Sequence, residues 1–137
     1  MSRFLYPVDT DQFQRIREDG KVYVDKTDMV FDLVNKYQYV FLARPRRFGK
    51  SLLCNTFKAY FQGQKELFEG LKVMDLEKEW KIYPVLHFTM SGLKNLKVTD
   101  AESKLGNFIA DYERLYGRNP EEETPGARFR GLIHRAC

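Results

Sequence analysis

The 137 residues are 43% hydrophobic and 15% aromatic, enough apolar material for a core in one small domain, and 31% charged, as a soluble protein would be. No apolar run approaches the roughly twenty residues of a membrane-spanning helix, and the start, MSRFLYPVDTDQF, has no secretory apolar core, so a cytoplasmic location is expected. Net charge is +4 but mixed along most of the chain, the one dense basic cluster being Arg44, Arg46, Arg47 and Lys50, which implies an anionic partner.

In chain order, Asp9 or Thr10 can cap a short helix carrying Phe13 and Ile16, with Gly20 to end it. Residues 21–27 alternate Val22 and Val24 with polar neighbours and read as a short strand or extended segment. Thr27 or Asp28 then caps a second helix whose buried side carries Val30, Phe31, Leu33 and Val34. YVFLA (39–43) is an unbroken apolar run, too short for a helix, and predicts a central strand covered on both faces. After residues 44–51, Leu53, Phe57 and Phe61 recur at helical spacing beside Leu52, Thr56 and Tyr60, predicting a helix over about residues 50–62.

Further on, residues 65–70 read as a short helical turn closed by Gly70, and VLHFTM (85–90) as a second buried strand broken at Ser91-Gly92. Ala101, Leu105, Phe108, Ile109, Tyr112, Leu115 and Tyr116 share one helical face, with Asp100 as cap and Gly117 as stop. Residues 118–126 form a loop, and the last segment begins an amphipathic helix through Phe129, Leu132, Ile133 and Ala136 with no visible partner for its apolar face. Strands separated by long helices predict an α/β fold, a three-layer sandwich around a parallel sheet. Only two central strands are visible where such a domain needs about five, so the remainder is expected beyond Cys137.

The stretch RPRRFGKSLL (44–53) carries the chemistry. Gly49-Lys50-Ser51 is the end of the phosphate-loop pattern G-x-x-x-x-G-K-[ST], with Arg44 where the first glycine would stand. A tight turn into a helix points backbone N–H groups into one cavity, and the helix N-terminus adds partial positive charge. Gly49 lets the backbone approach phosphate without a Cβ, Lys50 reaches the β- and γ-phosphates, and Ser51 in the first helical turn offers its hydroxyl to Mg²⁺. Arg46 and Arg47 point outward to strengthen the field or contact phosphate themselves, and Phe48 packs under the loop. The expected nucleotide contacts are Arg46, Arg47, Phe48, Gly49, Lys50, Ser51 and Leu52, with Lys50 as the catalytic cation. The rival reading is a nucleic-acid-binding module whose arginines and Lys50 contact backbone phosphates without nucleotide. A small phosphate-loop kinase is a third, though neither its acceptor pocket nor its lid can be located in the sequence.

Beyond this loop, YVDKTDMV, FLARPRRFGKSLL, FKAYFQGQKELFEGL, EWKIYPVLHF and GARFRGLIHRA together resemble the predicted AAA-ATPase-like family common in gut Bacteroidetes and anaerobic Firmicutes, over nearly the whole chain. In that family RPRRFGKS is itself the phosphate loop. The resemblance implies a P-loop NTPase fold, ATP and Mg²⁺ as ligands, and residues 1–137 as a single N-terminal portion of the ATPase domain, truncated before the Walker B strand. It also implies that hydrolysis belongs to the full-length context, since no water-activating carboxylate is recognisable in these residues. A nuclease-like domain follows in many members, so a nucleic-acid or protein partner would engage through that missing region. The unpartnered face near Leu132 leads to an expectation of self-association.

Other residues take simpler readings. Asp25 and Lys26 read as a turn or cap ion pair worth under about 1 kcal/mol, with a contact to a nucleotide base as the alternative. His87 and His134 have no second ligand at metal spacing. Trp80 and Tyr83 are expected to cover a sheet edge, Glu121-Glu122-Glu123 to be a solvated loop, and Cys54 and Cys137 to be reduced thiols, Cys54 a packing residue.

Overall fold

The structure, a computed structural model, describes residues 5–89 and 97–137 and divides into two compact units, 1–85 and 86–137. In the first unit the elements are α1 (Phe13–Glu18), α2 (Thr27–Lys36), α3 (Lys50–Phe61), a 3-10 turn (Lys65–Phe68) and α4 (Val73–Leu76). α1 packs on α3 and on the 3-10 turn, while α2 packs on α4. The shared core holds Phe13, Val30, Ala59, Tyr60, Leu67, Phe68, Leu71 and Val73, which are the apolar positions at helical spacing. Phe13 and Phe68 meet as tilted rings at 4.9 Å between centroids with no solvent exposure, each contributing about 1.5–3 kcal/mol through burial. Tyr60 closes the far side against Phe68 and Trp80 and donates its hydroxyl to Glu77 Oε2. Burial, then that carboxylate, pushes the phenol well above its ordinary range.

The second unit pairs α5 (Val98–Tyr116) with α6 (Pro125–Ala136). α6 starts as its sequence directs, with Pro125 at the first position and Thr124 Oγ1 accepting from the Ala127 amide at 3.2 Å. α5 stops at Gly117, whose φ of 89° and N–H bond to Glu113 O (2.8 Å) close the last turn. Ile109 and Leu132 have no exposure, so the face through Leu132 is covered at that residue, while Ile133 on the same helix stays 41% exposed. On α5 the predicted stripe needs one exchange: Leu115 is 74% exposed, and Glu113 is buried in its place. Glu113 accepts both Arg128 Nε (3.0 Å) and Arg128 Nη2 (2.7 Å), and this pairing holds its carboxyl below the ordinary value despite burial. A second forked pair joins Glu122 to Arg135 at 2.9 and 3.1 Å, so Glu122 is not the solvated loop residue expected. A Cβ at Gly131 would collide with that Glu122 carboxylate.

Among the described residues the predicted parallel sheet is not formed. Every regular element among the described residues is helical, which overturns the α/β three-layer sandwich with its central strands at 39–43 and 85–90. An apolar run sets a local preference, but a strand exists only when a second segment supplies its hydrogen-bond ladder. Residues 39–43 exchange no backbone hydrogen bond with another segment among the described residues, and Tyr39 and Phe41 are 86% and 93% exposed. Residues 85–89 are likewise without a ladder. The Tyr112 hydroxyl bonds both the N–H and the C=O of His87 (2.7 and 3.2 Å), and Phe88 packs edge-on against Phe108, Tyr112 and Phe129. Met90, the end of that predicted strand, and the break at Ser91-Gly92 lie outside the described residues. With no sheet to cover, Trp80 packs into the first core, and Tyr83 rests edge-on against Phe61 with its N–H on Phe61 O at 2.8 Å.

Candidate functional site

α3 follows directly from the basic loop, and its first turn explains the local geometry. Gly49 is the N-cap with φ 76°, left-handed, with open space where a Cβ would stand. Its carbonyl accepts from Leu53 N at 2.9 Å, the first bond of the helix. The amides of Lys50, Ser51 and Leu52 precede any intrahelical partner and are therefore unpaired by helix construction. Among the described residues, no protein acceptor takes the N–H of Arg46, Arg47, Phe48 or Gly49 either. Arg47, with φ 66°, is the second left-handed residue of the loop, at a backbone cost of roughly 1–2 kcal/mol for a side chain with a Cβ. Arg47 and Gly49 are thus both left-handed, on either side of Phe48.

Lys50 leaves the first helical position and folds back over the loop. Its ammonium donates to Arg44 O at 2.5 Å and Pro45 O at 3.1 Å, spanning the turn from end to end. Ser51 is exposed with its hydroxyl unbonded among the described residues, and Arg44, Arg46 and Arg47 are exposed. The backbone amides, Lys50, Ser51 and the three arginines thus lie within one eight-residue stretch, 44–51, with Ser51 and the arginines exposed. The loop does not bring in the side chains of Phe48, 61% exposed instead of packed beneath it, or Leu52, which faces the core. Cys54, expected to be packed, is exposed and free.

Beside α3 lies a cleft of about 670 Å³. Its walls come from α2, from residues 37–42 and from the outer face of α3, and Lys50 is part of its lining. No sequence pattern announces this cleft, because the residues facing it read as core positions.

Asp25 resolves into a structural clamp. Its Oδ1 accepts from Thr27 N (2.9 Å) and Thr27 Oγ1 (2.7 Å), and its Oδ2 from Lys72 N (2.8 Å). Thr27, fully buried, passes the link on by accepting from Val73 N at 3.1 Å. Neither Thr27 nor Asp28 caps α2 as predicted: Lys26 stands at the N-cap without a side-chain cap bond, and Asp25, two residues before the helix, holds the Thr27 amide and hydroxyl and ties α2 to α4. Burial works against its charged form, but the bonds from Thr27 and Lys72 outweigh it and hold the carboxyl below its ordinary value. Lys26 takes no part in this clamp.

Among the described residues no group of three or more His, Cys, Asp or Glu side chains could hold a metal ion, and no helix is long and apolar enough to cross a membrane. Ser51 is the candidate metal contact in the loop, and one hydroxyl is too few donors to hold a cation without other ligands.

The chain is similar to an uncharacterized protein in the vnfD 5' region of Azotobacter chroococcum mcd 1, 36% identical over 137 residues. That alignment covers 99% of this chain and 27% of the relative, so the chain spans about a quarter of that protein's length. No solved structure matches. Residues 7–137 match the family described as predicted AAA-ATPase. The match takes in the basic loop, α3 and the helix pair α5–α6, and the chain therefore belongs to the AAA-ATPase-like family of predicted AAA-ATPases.

Proposed function

We propose that the chain binds the phosphate end of a nucleotide at residues 44–51, with ATP and Mg²⁺ as the expected pair. The observation that carries this reading is the row of unpaired backbone amides from Arg46 to Leu52 at the start of α3, under an ammonium anchored only to loop carbonyls. Such amides attract anions through their own dipoles and through the helix N-terminus. Lys50 exchanges the Arg44 and Pro45 carbonyls for β- and γ-phosphate oxygens, and Arg46 and Arg47 neutralise the remaining charge. Ser51 would hold Mg²⁺ through its hydroxyl, and the metal would supply charge neutralisation of the phosphates. Family membership supports nucleotide use in general. Lys50 holds charge at the transferring phosphate, while activation of water needs a carboxylate that none of the loop residues supplies. Binding with weak or absent turnover is the expectation for these residues.

The test is a calorimetric titration of the chain with MgATP, compared with Lys50→Ala. Removing a charge-assisted phosphate contact costs about 1.5–3 kcal/mol, a loss of roughly ten- to a hundredfold in affinity. Equal affinity of the two proteins removes the proposal.

A second reading has its own observation. Tyr39, Phe41 and Phe48 are exposed within ten residues of three exposed arginines, a mixture of rings and cations that suits single-stranded nucleic acid. It predicts binding that falls steeply with salt and ignores ATP. A flat, weak response across a salt series excludes it.

A further inference from the structure

We infer that the cleft beside α3 seats the nucleoside half of the ligand whose phosphates lie on the loop, an inference that rests on the phosphate reading above. The cleft's volume of about 670 Å³ falls within the range of roughly 300–1,000 Å³ typical of small-molecule sites. Its character is mixed in a particular way. Leu53 and Phe57 of α3 supply an aliphatic and aromatic floor, and Tyr37 and Tyr83 stand half-exposed at its margins. Lys50 belongs to both places, lining the cleft and donating its ammonium to the loop carbonyls. An occupant suited to both ends has a flat, weakly polar body for the rings and a polyanionic tail for the ammonium. A nucleotide is such a molecule, and stacking of a base on an aromatic ring contributes about 1–3 kcal/mol. Gln38, also in the lining, forms no hydrogen bond among the described residues, so its amide offers a donor and an acceptor to a base edge. The competing occupant with similar chemistry is an alkyl phosphate, whose chain would lie on the same floor.

Cys54 provides a local reporter. It lines the cleft one turn beyond Lys50 and is a free, exposed thiol, while the free, exposed Cys137 in the other unit is the reference. The experiment measures the iodoacetamide alkylation rate of each cysteine in the intact chain by mass spectrometry. Arms contain no ligand, MgATP, magnesium tripolyphosphate or dodecyl phosphate, each ligand at a concentration that saturates the protein by titration. MgATP is expected to slow Cys54 alkylation several-fold and leave Cys137 unchanged, with tripolyphosphate leaving both at their free rates. Binding of ATP and tripolyphosphate with Cys54 labelled at its free rate, or protected equally by both, overturns the cleft assignment and spares the phosphate site. Protection by dodecyl phosphate without protection by MgATP also overturns it. Failure of ATP and tripolyphosphate alike to bind removes the phosphate reading and the cleft assignment together.

Discussion

Replacing Asp25 with Ala withdraws the acceptor from three donors at once: the amide and hydroxyl of Thr27 and the amide of Lys72. Thr27 has no exposure, so neither of its donors regains water when the carboxylate is gone. A buried donor left unsatisfied costs about 1–3 kcal/mol. Because the three bonds share one carboxylate they do not add fully, and the net expectation is about 3 kcal/mol. With a urea m-value of about 2 kcal/mol/M, that moves the unfolding midpoint down by about 1.5 M, read by far-UV circular dichroism at pH 7. The carboxyl is held below its unfolded value, so its contribution is complete above about pH 4 and is lost as pH falls through the folded value. The gap between parent and Asp25→Ala should therefore narrow in acid. A midpoint shift under about 0.3 M at pH 7, or a gap that persists undiminished in acid, refutes the clamp. Under native conditions Asp25→Ala should keep the parent's nucleotide affinity, since a clamp between α2 and α4 touches no ligand.

Two further predictions concern the loop and the helix pair. Arg47→Gly relieves the left-handed strain at φ 66° and is expected to raise stability by up to about 1 kcal/mol while weakening MgATP binding. Arg47→Ala should show the weaker binding without the gain, and unchanged affinity in both removes Arg47 from the phosphate contacts. Glu113→Ala strands the Arg128 guanidinium in a half-buried setting and should destabilise the second unit by about 3 kcal/mol, read by hydrogen exchange along α5 and α6. The Arg128 bond lowers the Glu113 carboxyl below its usual value, so the pair is intact above about pH 4.5 and opens as pH falls through the lowered value. Exchange in α6 that is indifferent to the substitution argues against the pair as the tie between the helices.

What could be read from the residues was whatever is local. α2, α3, α5 and α6 follow the 3.6-residue spacing of their apolar positions, and Gly49, Gly70 and Gly117 stand where left-handed or chain-terminating backbone is needed. Strand pairing is a contact between distant segments, and the apolar run at 39–43 could announce only a preference for it. Asp25 failed to announce itself for the same reason, since its third donor, Lys72, lies 47 residues away. The candidate site divides along this line. The basic loop and the helix after it were legible from GKS and the stripe beneath, whereas the cleft, the exposure of Phe48 and Cys54, and the strained Arg47 depend on how separate segments meet.

The glycine at 131 lies against the Glu122 carboxylate, which in turn grips Arg135. An alanine at 131 gains helix propensity but moves the free end of the flexible Glu122 side chain, so it should loosen the grip on Arg135 and leave the helix itself intact.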